Sequence, residues 1–119
     1  MTRVHGRPLW FELATGKGLL DAAGDFYRKA IGWRIGDSGI EGFRYHLAAS
    51  DGDMVAGLME MPDDAANMPP RWTIYFGVAD ADRTAADVRA AGGRVFREPA
   101  DIPGTGRFAV VSDPQGAPF

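Results

Sequence analysis

From Pro8 to Thr15 the residues PLWFELAT alternate. Phe11 and Leu13 fall on one side and Trp10, Glu12 and Ala14 on the other, the period of two that a strand imposes on its side chains. Between Leu19 and Ile31 the period changes: Ala23, Phe26, Tyr27, Ala30 and Ile31 recur at helical spacing, and Gly32 follows as the expected stop. Gly24 inside this helix costs roughly 1 kcal/mol relative to alanine, too little to break it. Three short strands are predicted next, from Trp33 to Ile35, from Phe43 to Ala48 and from Met54 to about Met61, separated by the turn-forming GDSG and SDGD segments. The first half therefore reads βαβββ.

Pro62 to Pro70, PDDAANMPP, has the polarity and terminal prolines of a connector, and the pattern then restarts with the strand WTIYFGV, Trp72 to Val78. Asp82 is placed to cap a helix that carries Ala85, Val88 and Ala91 on one side and ends at Gly92 and Gly93. GRVF, RFAVVS and a truncated APF complete a second set of strands. At an offset of 60 residues, Ala30 to Ile35 align with Ala90 to Val95 and Asp53 with Asp113, so both helix stops and the strands after them fall in register. The chain reads as two copies of one module.

Composition narrows the picture without redirecting it. A chain of 119 residues supports one core and is too short for two ordinary domains. With 45% hydrophobic and 24% charged residues it has globular composition, and 16 Gly and 8 Pro fit many short elements joined by turns. The net charge of −3, with Lys and Arg scattered, offers no footprint for nucleic acid or an anionic membrane. The absence of cysteine removes disulfides, thiolate metal sites and cysteine nucleophiles. No apolar run reaches the roughly 20 residues of a membrane span, and Met1 to Thr15 has no signal-peptide core, so the expected location is cytoplasmic.

The segments FELAT, DFYRKAIGW, VAGLMEMP, RWTIYFGVAD, VRAAGGRV and DIPGTGRFAVVSDPQGAPF resemble the vicinal-oxygen-chelate superfamily, the glyoxalase/bleomycin-resistance/dioxygenase type, over nearly the whole chain. The resemblance implies an α+β fold in which two βαβββ modules form an open barrel around a ligand cavity. Residues 1–119 then make a single domain: a first module at about 7–61, a connector at 62–70 and a second module at about 71–119. APF stops where a last barrel strand would start, so that strand is either short or continues past Phe119. Members of the family commonly form homodimers, which is the expectation here.

In metal-dependent members the ligands lie on the first and fourth strands of each module. Here the first-strand positions fall on Trp10 and Thr73, neither a usual ligand, and Glu60 lies near the fourth-strand position of the first module. The matching position of the second module falls just past Phe119. His5 precedes the first strand and His46 alternates with Tyr45 and Leu47, so both read as solvated surface residues. No metal site and no cofactor are expected, a divalent metal being the alternative.

If Phe11 and Leu13 pack on the first helix, Trp10, Glu12 and Ala14 turn to the concave face, as do Thr73, Tyr75 and Gly77 when Ile74, Phe76 and Val78 pack on the second. Phe108 and Val110 match family positions that face the cavity; Tyr45, Met59 and Trp72, the last adjoining Trp10 in the paired first strand, complete the candidate ligand-binding set. Such a lining is aromatic and largely apolar with Glu12, Thr73 and Tyr75 as polar points, the usual make-up of a small-molecule site. Glu12 reads first as a structural carboxylate at an edge position or hydrogen-bonded to Tyr75 or Trp72, with a general acid or base as the alternative; no catalytic residue is assigned.

Three weaker signals carry no function. Gly104 to Ala109 matches G-x-G-x-x-A but enters a strand instead of leaving one. Asp51, Asp53, Asp63 and Asp64 lack a twelve-residue calcium loop, and no nucleophile-elbow context surrounds any serine. The expected function is capture of a small planar or aromatic molecule without a metal. The alternatives are a metal-dependent lyase, isomerase or dioxygenase of the same superfamily, a metal-free catalyst using Glu12 with Tyr75, or an interaction module.

Overall fold

The computed structural model describes residues 5–42, 44–63, 68–102 and 106–119. Phe43, the start of the strand expected up to Ala48, and Asp64, Gly104 and Thr105 lie outside the described residues. The order is β1 (Pro8–Thr15), α1 (Leu20–Ala30), β2 (Arg34–Asp37), β3 (Tyr45–Ser50), β4 (Asp53–Glu60), β5 (Arg71–Phe76), α2 (Ala81–Ala90), β6 (Arg94–Ile102) and β7 (Gly106–Ser112). Strands β2-β3-β4-β1-β5 form a mixed five-stranded sheet and β6-β7 a two-stranded one. By packing, the chain divides into two compact units: Trp10–Ile74, and the segment up to Leu9 with Tyr75–Phe119. No helix among the described residues is long and apolar enough to cross a membrane.

In the unit Trp10–Ile74, β1 runs parallel to β4, with Glu12 opposite Gly57 and Leu13 opposite Leu58. β4 returns antiparallel to β3 through Asp51 and Gly52, both at positive φ (50° and 87°), the conformation that a two-residue hairpin turn requires. This register sorts the side chains into two faces. Leu13, Ile35, Ala48, Ala56 and Leu58 are buried with Leu20 of α1, while Ala23, Tyr27, Trp33 and Val55 pack at the margin. Arg28 fastens the helix to β2 by donating to the carbonyl of Ile35 at 2.7 Å.

The buried stripe of α1 is Leu20, Ala23, Gly24 and Tyr27, shifted from the expected one, for Phe26 and Ile31 are exposed (61% and 56%). Gly24 lies over Ile35, where an added Cβ would make an ordinary contact at 3.8 Å. Phe11, expected against α1, is exposed as well. His46 is corrected too: it stands opposite Leu58 on the helix-covered face, half-buried, with Nδ1 enclosed and without a hydrogen-bond partner among the described residues. His5 accepts a hydrogen bond from the Ala79 N–H at Nδ1 (2.9 Å).

In the other unit α2 is capped by Asp80, not Asp82: the Asp80 carboxylate accepts from the Arg83 N–H at 3.1 Å, two positions ahead of the expected cap. Asp82 instead accepts a bidentate pair from Arg107 on β7 (2.9 and 3.0 Å), and Arg107 also reaches Asp101 on β6. Ala85 is buried, Val88 half-buried and Ala91 exposed. Phe76 meets Phe119 edge-on at 5.7 Å. Phe119 and Val111 exchange both backbone hydrogen bonds at 2.9 Å, so APF does begin to pair along β7.

The hydrogen bond from Arg107 holds the Asp82 carboxyl below its ordinary value, and the positive charge of Arg107 acts in the same direction. A depressed folded-state value means that this pair stabilises the fold above the ordinary aspartate range, ~3.9, and that the contribution is lost as pH falls through the lowered value. Asp82→Asn should therefore lower the thermal midpoint at neutral pH, by a small amount because the pair is exposed, and the gap from the parent should close in acid.

Candidate functional site

The face of the Trp10–Ile74 sheet turned away from α1 carries Trp10, Glu12 and Ala14 of β1, Gly57 and Met59 of β4, and Tyr45 of β3. The pairings Glu12 with Gly57, Ala14 with Met59 and Tyr45 with Met59 place them side by side. Three of them form a relay. The Trp10 indole N–H donates to the Tyr45 hydroxyl at 2.9 Å, and that hydroxyl donates to Glu12 Oε2 at 2.8 Å. The direction follows from valence: an indole can only donate, so the tyrosine oxygen accepts from it and sends its single proton to the carboxylate. All three residues are half-buried, where a satisfied polar chain is rigid and a broken one is costly.

Gly57 makes the relay possible. A Cβ built on it would lie 1.8 Å from the Tyr45 oxygen and 2.2 Å from Cζ, so the ring occupies the volume that any other residue would fill. This was the residue most easily missed in the sequence, although a glycine inside the strand VAGLMEM is itself a sign of a close approach by another group.

The other candidates are distributed as follows. Thr73 is buried, and alternation sets it on the side of β5 opposite Trp72. Trp72 does not join Trp10. Its indole N–H donates to the Tyr27 hydroxyl at 3.1 Å and its ring meets Tyr27 and Trp33 edge-on, at 5.5 and 5.9 Å, in an aromatic cluster beside α1. The physical reason is the same alternation: a residue one step from Thr73 cannot share its face. In the second unit Tyr75 and Phe108 lie with ring centroids 6.4 Å apart and tilted by 50°, and Val110 follows two positions along β7, half-buried. An open groove of about 870 Å³ is lined by Arg34, Leu47, Ala49 and Met54 among others and includes none of the relay residues.

The residues at the expected ligand positions do not suit a metal. Glu60 pairs with Thr15, in step with Leu58 and away from the Trp10 face, and its Oε2 accepts from the Gly18 N–H at 3.1 Å. It closes the loop before α1. Trp10 donates its only polar hydrogen to Tyr45, and Thr73 supplies a neutral hydroxyl. Among the described residues no three of His, Cys, Asp and Glu gather as a ligand set would.

Comparison with known proteins agrees with this architecture. Proteins named "Putative glyoxylase CFP32" in Mycobacterium bovis and Mycobacterium tuberculosis are 46% identical to the chain over 115 residues, 96% of this chain and 42% of theirs. "Anthracycline biosynthesis protein DnrV" of Streptomyces peucetius is 38% identical over 135 aligned positions, which cover 100% of this chain and 48% of that one. The chain thus spans less than half the length of these curated relatives. The family model described as Glyoxalase/Bleomycin resistance protein/Dioxygenase superfamily matches residues 14–119, and with the mixed sheet and two helices above, the chain belongs to that superfamily.

Proposed function

We propose that the chain is a metal-independent small-molecule binding domain that holds an aromatic ligand on the face built by Trp10, Glu12, Tyr45 and Met59. This reading takes the two modules as halves of the open barrel that the family resemblance implies. The observation that carries it is the Trp10–Tyr45–Glu12 relay: a pre-formed polar chain set among two aromatic rings, a thioether and a glycine, half-buried on a sheet face that α1 does not cover. Flat aromatic surface, a polarisable sulfur and one oriented polar group are what recognition of a planar ligand needs. Similarity to a protein named for anthracycline biosynthesis supports an aromatic ligand class.

Glyoxylase-like chemistry, suggested by the names of the mycobacterial relatives, would need donors that Trp10, Thr73 and Glu60, the last engaged with the Gly18 N–H, do not provide. Titration calorimetry with a panel of planar aromatic probes tests the proposal. The parent should bind members of the panel, and Trp10→Ala should weaken them by about 1–3 kcal/mol through lost ring contact. A folded parent that binds no probe would overturn it, as would binding indifferent to Trp10.

A further inference from the structure

We infer that the ligand is elongated: beyond the ring held on the Trp10 face it carries an apolar arm that crosses β3 into the open groove beside β2, and Gly36 admits that arm by leaving the floor bare. This inference rests on the binding role proposed above and gives it a ligand class. The strand register carries the first part of it. Glu12 on β1 stands opposite Gly57 on β4, Gly57 opposite Leu47 on β3, and Leu47 opposite Gly36 on β2. Cross-strand partners point to the same face, so these four positions form one row on the side turned away from α1. Over three strand spacings the row runs about 14 Å from the relay to β2. Leu47 and Gly36 also line the groove of about 870 Å³, together with Ala49 and Met54, so the groove continues the face that carries the relay.

Gly36 supplies the second part, because nothing in the strand itself calls for a glycine there. A glycine inside a strand weakens it and ordinarily marks a bulge, a positive φ or a group in close approach. The pairing of β2 with β3 runs through Gly36 without a register shift, and its φ lies outside the left-handed region. An added Cβ would meet no atom of the described residues within 4 Å beyond its chain neighbours. Of the usual reasons, close approach by a molecule from outside the chain is the one left. The surroundings say what kind of molecule. Leu47 and Ala49 are half-buried, and the register shift between Ala48 and Ala49 sets the exposed Met54 opposite Ala49. A thioether, two aliphatic side chains and a bare glycine suit an alkyl or aryl arm. The charged members of the lining, Arg34, Asp37 and Asp51, are exposed and keep their solvation.

Two probes of one ring test this: 2-naphthamide, and N-hexyl-2-naphthamide, which adds only the arm. In the parent the hexyl probe should bind on the order of tenfold or more tighter, as expected for several methylene groups leaving water. Gly36→Leu places a side chain in open space, so the variant should fold, and by filling the groove it should bring the two affinities to within about threefold. Methyl NMR gives a readout that does not depend on that variant. Of the five methionines, Met59 belongs to the Trp10 face and Met54 to the groove. Met54→Leu and Met59→Leu assign their signals; of these two the short probe should move Met59 alone and the hexyl probe both. An arm that brings no gain, a gain that survives Gly36→Leu, or a Met54 signal that stays still while the hexyl probe binds overturns this inference, and the aromatic-binding proposal still stands as long as 2-naphthamide binds. Failure of both probes to bind overturns both.

Discussion

Leu58→Ala should lower the free energy of unfolding by about 2–5 kcal/mol, the range for truncating a fully enclosed leucine, whereas Met54→Ala on the same strand should change it by less than about 0.5 kcal/mol. The contrast follows from position. Leu58 is 0% exposed among Leu13, Ala48, Ala56 and Leu20, and Met54 is 59% exposed. Removing Leu58 deletes its contacts and leaves a cavity beneath the strand whose other face carries Gly57 and Met59. Urea unfolding of the two variants checks the prediction, and equal losses would mean that the core is not centred on β4.

Gly57→Ala should cost about 1–3 kcal/mol, the usual penalty for forcing a group into occupied space, and should also displace the Tyr45 ring. The new Cβ would lie within 2.7 Å of the hydroxyl oxygen and two ring carbons of Tyr45, so one of the two side chains must move. The effect depends on Tyr45, which makes it separable from a backbone effect of losing glycine. In a Tyr45→Ala background the collision is gone and the same substitution should be nearly neutral. A double-mutant cycle therefore predicts a coupling of roughly 1–3 kcal/mol between positions 45 and 57, and additivity would contradict the placement of the ring.

Much of the fold was legible because its punctuation is chemical. Gly32 and Gly92, paired by the offset of 60, both follow helices at positive φ (84° and 94°), and the bounds of β1 coincide with the alternation of PLWFELAT. That alternation also placed Trp10 and Glu12 on one face, and Tyr45 joins them through the register of β3 on β4. What local pattern could not supply was tertiary. Local pattern groups Trp72 with Trp10 although its own strand turns it toward Tyr27, because two tryptophans on paired strands suggest a shared wall until faces are assigned. Asp80 and Asp82 are both plausible caps, and only the partner Arg107, far along the chain, takes Asp82 away from the helix end. His46 reads as solvated until Leu58 is found opposite it. The need for glycine at position 57 is not written locally, because the ring it admits comes from another strand.

The claim that an aromatic molecule is held on the Trp10 face is tested most directly by the indole N–H signals in nitrogen-15 NMR during titration with an aromatic probe. The three tryptophans report on different places: Trp10 donates to Tyr45, Trp72 donates to Tyr27, and Trp33 lies against both Tyr27 and Trp72. Trp10→Phe and Trp72→Phe assign the signals. Saturable movement of the Trp10 resonance, with the Trp33 and Trp72 resonances still, is the result this account predicts. Movement of Trp33 and Trp72 while Trp10 stays fixed would contradict it.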